Sequence, residues 1–367
     1  MQIVIIGCRS LDRVGGIESY MLDMCSCLAE KGHEIILYAG ANVDSIQNIN
    51  GFTVKNIKVT QNKYLNKILI GLKSIRRAMK EYPNADIYHF NANVAGFFSY
   101  IPLLKHKNVV FQGHGFEWKR AKWNPIIRFC NKMLDNFVLS INKNILMCSQ
   151  EQVDYVKDNF KNKNTMFAPG GVHYPPIKLS NNSKNTNNNY ILFLGRIVAE
   201  KRVDLLLKAF SNLENTITQD LYIAGPVEDE SIVSKYRSDK RIHFLGSKFG
   251  QEKADLLNNA FLYILPSDLE GLSIALLEAM SYGNLCLVSD IDANKEALDD
   301  CGVYFNAGNL EDLEKKLKDI CLNPQIYEDL KTKAVERIKS TFEWHIISDK
   351  IISYYEAVVN RSNSKEN

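Results

Sequence analysis

The sequence predicts an α/β protein built from two doubly wound parallel sheets, and three observations lead there. The chain has 367 residues, more than one ordinary core absorbs and enough for two domains. Both halves alternate short apolar strands with amphipathic helices, the pattern of parallel sheets joined by crossovers. Between the halves, Leu179 to Asn189 is a run of Ser, Asn, Lys and Thr with almost nothing to bury, which reads as a linker.

In the first half, strands are expected at Ile3–Ile6, Glu34–Ala39, Asp86–Phe90, Asn108–Gln112 and Asn144–Cys148, with a helix over Glu18–Lys31. In the second half, strands are expected at Tyr190–Leu194, Asp220–Ala224, Arg241–Leu245, Ala260–Leu265 and Leu285–Ser289, with a helix over Val203–Leu213. The tail Phe342–Val358 carries Ile346, Ile347, Ile351, Tyr354 and Ala357 at helical spacing. Residues 359–367 are polar and are expected to fray. The domains are therefore drawn as 1–178 and 190–341, with 179–189 between them.

Hydrophobic residues make up 46% and charged residues 24%, which excludes a disordered chain. The net charge of +3 hides a division: residues 1–189 hold 24 Lys and Arg against 13 Asp and Glu (+11), and the remainder hold 21 against 29 (−8). A basic half suits an anionic partner, whether lipid headgroups, a lipid-linked diphosphate or nucleic acid. Codon usage rich in Lys and Asn gives the same bias. No nucleic-acid motif is present, and the acidic second half argues against that partner. The eight cysteines form no Cys-x-x-Cys and no zinc-type spacing, and most of them lie in apolar runs and read as buried thiols of a reducing cytosol. No apolar run reaches the ~20 residues that span a bilayer. Ile5-Ile-Gly-Cys8 has no basic segment before it, so it reads as a strand and not as a lipoprotein box.

The most informative segment is Glu270-Gly-Leu-Ser-Ile-Ala-Leu-Leu-Glu278. Pro266, Ser267 and Gly271 mark a loop, and Ile274, Leu277 and Met280 a helix. The helix is expected from about Leu272, with Glu270 at its mouth and Glu278 two turns in. A helix N-terminus offers free amides to phosphate, and carboxylates accept hydrogen bonds from sugar hydroxyls. With Pro266-Ser267 before it and Ala279-Met-Ser-Tyr-Gly283 after it, the segment closely resembles the paired-glutamate signature of retaining glycosyltransferases of the GT-B fold, family 4. The resemblance covers essentially the whole chain. It implies two Rossmann-like domains facing a cleft, a nucleotide-sugar donor on the second domain and a saccharide acceptor on the first. It also implies retention of configuration without a metal or other cofactor, and a C-terminal helix that crosses back to the first domain. On the matching positions, Glu278 would hold the ribose, Glu270 the transferred sugar, and Gly271, Leu272 and Ser273 the donor beside them. Relatives often carry Phe-Gly where Leu272-Ser273 stands here, which leaves the sugar and base open.

Leu194-Gly-Arg196 ends a strand, and Glu200-Lys-Arg202 is expected to open the next helix. Arg196 and Lys201 are cations placed where a leaving diphosphate gains charge, and they match the family's diphosphate clamp. Gly225-Pro226 follows a strand and is expected to shape the nucleotide cleft. Gly15-Gly16, before Glu18, allows close approach of backbone to an anion or is a plain tight turn; the family's glycine loop there lines the diphosphate and acceptor. His114 lies between glycines at the carboxyl end of a strand, where open sheets place ligands. Its surroundings, His114 to Trp123, resemble a rhamnosyltransferase-like subgroup of polysaccharide-assembling enzymes in which this His supports the reacting centre. Two basic elements, Lys63–Lys80 and the Trp118–Trp123 loop, suit an anionic membrane surface. Equally, they suit a core-facing helix and a packed loop with solvated rims. The sequence therefore points to a peripheral enzyme of bacterial surface-polysaccharide assembly at the cytoplasmic leaflet. It would transfer from dTDP-rhamnose or a UDP- or GDP-hexose to a saccharide that is lipid-linked. The alternative is a non-catalytic sugar-nucleotide-binding partner subunit.

Overall fold

The structure, a computed structural model, describes residues 1–11, 16–60, 62–119, 123–174, 176 and 189–366. Gly15, most of the 179–189 stretch, and Arg120 and Lys122 of the basic loop lie outside the described residues. The chain forms two compact units, Met1–Gly170 with Trp344–Asn367, and Gly171–Glu343.

The first unit is an eight-stranded sheet of β1 (Gln2–Cys8), β2 (Glu34–Ala41), β3 (Ser45–Ile49), β4 (Phe52–Lys58), β5 (Ile87–Asn91), β6 (Val109–Gly113), β7 (Asn144–Met147) and β8 (Asn164–Phe167). Its spatial order is β3-β4-β2-β1-β5-β6-β7-β8, and every pairing is parallel except β3 with β4. The helices are α1 (Gly16–Glu30), α2 (Lys63–Glu81), α3 (Asn93–Gly96), α4 (Tyr100–Leu103), α5 (Pro125–Ile141) and α6 (Gln150–Asn159). The β3–β4 hairpin was not anticipated. It turns at Asn50-Gly51, both at positive φ (46° and 84°), the type I′ geometry that an Asn-Gly pair favours.

The second unit is a six-stranded parallel sheet of β9 (Tyr190–Leu194), β10 (Asp220–Ala224), β11 (Ile242–Gly246), β12 (Leu262–Leu265), β13 (Cys286–Ser289) and β14 (Val303–Phe305). Its order is β11-β10-β9-β12-β13-β14. The helices are α7 (Val203–Asn212), α8 (Glu230–Val233), α9 (Gly250–Asn259), α10 (Ile274–Ser281), α11 (Asp292–Leu298), α12 (Leu310–Leu322) and α13 (Glu328–Arg337). The chain leaves β9 outward to β11 and then returns to β12. The carboxyl ends of β9 and β12 therefore meet at a topological switch point, where open sheets bind ligands.

The first unit ends at Gly170 and not at residue 178. The reason is that Val172 already donates from its amide to the Phe342 carbonyl and bridges to Glu343 in the second unit. The last helix, α14 (Trp344–Glu366), belongs to the first unit. Its Trp344, Ile347, Ile351 and Tyr355 pack among Met21, Met24 and Leu28 of α1. Tyr354 Oη donates to Asn164 O at 2.6 Å and accepts from Ile145 N at 2.8 Å. Residues 359–366 continue this helix, contrary to the expected fraying, since extending a formed helix costs far less than nucleating one.

Helix α2 packs on the sheet through buried Ile70, Ile75 and Ala78. Half of its apolar stripe thus serves the core, while Leu65 and Ile68 stay exposed. Lys73 caps the Lys58 carbonyl, and Arg77 pairs with Glu81. All eight cysteines are free thiols, and six are buried.

Candidate active site

In the second unit, the loop after β9 and the loop after β12 bring Lys201 and Glu270 together. Lys201 Nζ lies 2.5 Å from Glu270 Oε1, and their side chains are only 17% and 8% exposed. Ser267 Oγ donates to the same carboxylate at 2.6 Å. Asp268 N donates to Glu200 O, joining the two loops through the backbone. Lys201 does not open a helix as expected. It ends a separate 3-10 turn (Ala199–Lys201), and α7 starts at Val203. Between them Arg202 takes a left-handed conformation (φ 50°), held by Asp268 at 2.9 Å and Asp204 at 3.3 Å.

The helix carrying Glu278 also starts later than expected. Ser273 is its N-cap, accepting from Leu276 N, so Leu272 stays in the loop and Glu278 sits a little over one turn in. Glu278 pairs with Lys253 of α9 at 2.5 Å. Arg196 is half exposed and pairs with Glu228 at 3.1 Å. Tyr263 on β12 senses both glutamates: burial first, then Cys286, Glu270 and Glu278, hold its phenol well above the usual range. Gly225 is forced by close approach, because a Cβ there would stand 1.8 Å from the Gly195 carbonyl oxygen. Sequence reasoning missed Lys253, Glu228 and Ser267. Lys253 and Glu228 have no local mark, since each matters only through a partner 25 or 32 residues away, whereas Ser267 lies in the loop signature and was read there only as a loop residue.

In the first unit, His114 follows β6. Its Nε2 lies 2.8 Å from Asn91 Oδ1, which makes Nε2 the protonated nitrogen, and Cys148 Sγ donates to Nδ1 at 3.3 Å. Burial pushes His114 down to about 4, so the ring is neutral at pH 7. Tyr20 meets it edge-on at 5.0 Å. Glu18, in the first turn of the helix that Gly16 opens, is buried and takes a two-pronged contact from Arg9 at 2.9 and 3.3 Å. Of the basic loop, Trp118 packs against Phe116 and Tyr155, and Trp123 donates to Glu117.

A further titratable group, Asp135 on α5, lies in the first unit and had no signal in the sequence. Asn93 Nδ2 donates to its Oδ1, while its buried Oδ2 has no partner. Burial, and then the charge of Glu117, push this carboxyl up to about 7. The folded state therefore holds the proton more tightly than the unfolded chain. Its stabilisation is fully present below about pH 4 and is lost as pH rises through about 7. Asp135→Asn is expected to flatten that decline, which has a slope of about 1 kcal/mol per pH unit. Urea titrations between pH 4.5 and 8.5 check it; parallel curves for the two proteins would refute the assignment.

Comparison with known proteins gives the family. Residues 14–174 match the family model "Glycosyltransferase Family 4", and residues 177–337 match "Glycosyl transferases group 1". A phosphatidyl-myo-inositol mannosyltransferase of Propionibacterium freudenreichii is 23% identical over 97% of this chain and 94% of its own length. A Campylobacter jejuni N,N'-diacetylbacillosaminyl-diphospho-undecaprenol alpha-1,3-N-acetylgalactosaminyltransferase is 24% identical over 46% of this chain and 45% of its own. Among solved structures, sucrose-phosphate synthase from Thermosynechococcus elongatus superposes with a TM-score of 0.83 at 15% identity, covering 98% of this chain and all of that one. Anabaena HepE in complex with UDP-glucose superposes with 0.77 at 14% identity, covering 97% and 100%. The two sheet units have the GT-B fold. The chain belongs to glycosyltransferase family 4.

Proposed function

We propose that the protein transfers a hexosyl or rhamnosyl unit, with retention, from a nucleoside-diphosphate sugar to a lipid-linked saccharide acceptor. The observation that carries this is the Lys201–Glu270 pair, nearly buried at the switch point of the second sheet. A shielded ion pair is a poor source of stability, because desolvation offsets its attraction. It suits a site whose cation is to meet phosphate and whose carboxylate is to meet sugar hydroxyls. In this reading Lys201 and Arg196 hold the diphosphate and leave Glu270 and Glu228. Glu270 then takes the transferred sugar, and Glu278 exchanges Lys253 for the ribose. Gly271, Leu272 and Ser273 line the donor, and Gly225 keeps the neighbouring loop close. His114 supports the acceptor side as a neutral imidazole, and Gly15, Gly16 and Glu18 serve the diphosphate and acceptor.

The transition state is oxocarbenium-like. Lys201 and Arg196 stabilise charge developing on the leaving diphosphate, whose oxygen takes the proton of the acceptor hydroxyl. Relatives named for acting on phosphatidyl-myo-inositol and on an undecaprenol diphosphate support the lipid-linked acceptor. That acceptor in turn supports a peripheral place at the cytoplasmic leaflet, in O-antigen or capsule assembly. The test is a panel of UDP-, GDP- and dTDP-sugars assayed for nucleoside diphosphate release with a polyprenyl-diphosphate saccharide. Binding of a donor without turnover would favour a non-catalytic partner subunit.

The two cations supply the electrostatic role that a metal plays elsewhere. Full activity is therefore expected after exhaustive chelation. Complete loss that manganese restores would overturn this.

A further inference from the structure

One strained turn carries both His114 and Asp135. Asn91 ends β5, Asn93 opens α3, and Ala92 stands between them at φ 64° and ψ 156°, a region that only glycine enters without strain. Ala92 N donates to Gln112 O at 3.0 Å, which pins the turn to β6. Asn91 Oδ1 accepts from His114 Nε2 at 2.8 Å, and Asn93 Nδ2 donates to Asp135. Strain of this kind persists only where its surroundings over-determine it.

Beside the His114 loop lies a cavity of about 10 Å³, the room that one water needs. Gly113 and Gly115, the two neighbours of His114, line it with Asn93, Asp135 and Gln152. Asp135 and Gln152 are 3% and 4% exposed, and each leaves one buried oxygen without a partner, Oδ2 of the acid and Oε1 of the amide. Gln152 also lies against the loop itself, since its Nε2 is 3.8 Å from where a Cβ on Gly115 would stand. Two buried acceptors on one cavity need a donor. An ionised carboxylate adds none, whereas a neutral carboxyl offers its O–H. Passed directly or through one water, that proton satisfies both oxygens.

The groups that face Asp135 favour the neutral form. Burial, and then Glu117 in the turn after β6, work against a carboxylate there. The Tyr155 phenol on α6 is itself held up, first by burial and then by Asp135. Lys119 is engaged by Glu151 and the Trp118 ring, and Lys132 by the Trp118 ring. His114 is neutral above about pH 4. From α3 and β7 the cavity meets Asn93 and Met147, which carry no charge.

We propose that Asp135 and Gln152 are positioning residues for His114: they share one proton across this cavity and so hold the loop 113–116 in place. This rests on the proposed role of His114 on the acceptor side and adds the groups that keep it there.

The experiment is hydrogen–deuterium exchange of the full chain from pH 5 to 8, corrected for the intrinsic pH dependence of exchange, with the amides of β2 as internal standard. Opening the loop exposes Asp135 to water, where its carboxyl ionises at lower pH. Protection of amides 113–116 in wild type is therefore expected to fall by up to about tenfold per pH unit between pH 5 and 7 and to level off above. Asp135→Asn keeps a donor in the same place, so its loop should stay protected without that slope. Asp135→Leu leaves Gln152 and Asn93 unpartnered and should lose protection at every pH by about tenfold or more. Transfer is measured alongside. The kcat of Asp135→Leu should fall by about tenfold or more with donor KM within about twofold, and Asp135→Asn should restore it. Thermal melts report whether Asp135→Leu folds; if it does not, the slopes of wild type and Asp135→Asn decide. The proposal is overturned if amides 113–116 of wild type show no slope beyond that of β2, or if Asp135→Asn keeps the wild-type slope. It is equally overturned if a folded Asp135→Leu retains wild-type protection. Exchange that follows Asp135 while kcat does not would remove His114 from the proposed function and leave the support of its loop standing.

Discussion

Lys201→Ala is expected to lower kcat/KM for transfer by about 30- to 1,000-fold, the loss of about 2–4 kcal/mol of transition-state stabilisation typical of one aimed donor. The ammonium already sits within a nearly closed pocket with Glu270 and Ser267, where a charge acts through little solvent. Its removal also leaves Glu270 without its cation at 8% side-chain exposure. Thermal melts should therefore accompany the kinetics, and Lys201→Arg separates charge from shape. Arg196→Ala should reduce transfer in the same direction, although its side chain is half exposed and paired with Glu228. If Lys201→Ala retains near-normal kcat/KM in a folded protein, the diphosphate assignment is wrong.

Gly225→Ala is expected to destabilise the second unit by about 4 kcal/mol or more, among the largest effects a single substitution produces. Gly225 stands at φ 152°, and an added Cβ would fall 1.8 Å from the Gly195 carbonyl oxygen and 2.6 Å from its carbon. No side chain can yield there, because the obstacle is backbone. That backbone is pinned: Gly195 N donates to Ala224 O, Gly225 N to Gly246 O, and Ile197 N to Pro226 O. Relief would mean parting the loops after β9 and β10, so donor binding should fall along with stability. Gly271→Ala is the matched control, with open space where its Cβ would go. Urea unfolding of the two variants checks the claim; equal midpoints would remove it.

Much of the fold could be read in the sequence because its signals are local. Buried strands such as Ile3–Ile6 and Tyr190–Leu194 are unbroken apolar runs, and all ten expected strands correspond to elements of the two sheets. Of the four missed strands, β4 buries Phe52, Val54 and Ile57, and the other three carry weaker signals. β3 is exposed through Ser45–Asn48, β8 is half buried throughout, and β14 has three residues. Helix starts shifted where a local cap or a tertiary contact decided the backbone. Ser273 took the cap position, and the Asp268 contact holds Arg202 in a left-handed turn.

By itself, the sequence determined two parallel-sheet domains and the glycosyltransferase family, and it singled out Arg196, Lys201, Glu270 and Glu278 as the candidate set. Apolar periodicity and a contiguous motif are properties of neighbours along the chain, so they survive without coordinates. Only the tertiary structure decided that Lys201 faces Glu270, that Glu278 faces Lys253, and that Asp135 is buried with an unpartnered oxygen. It likewise decided that α5, and not α2, turns its whole apolar stripe outward. Helical spacing reveals that a stripe exists. Which side of the helix meets the core depends on residues far away in sequence.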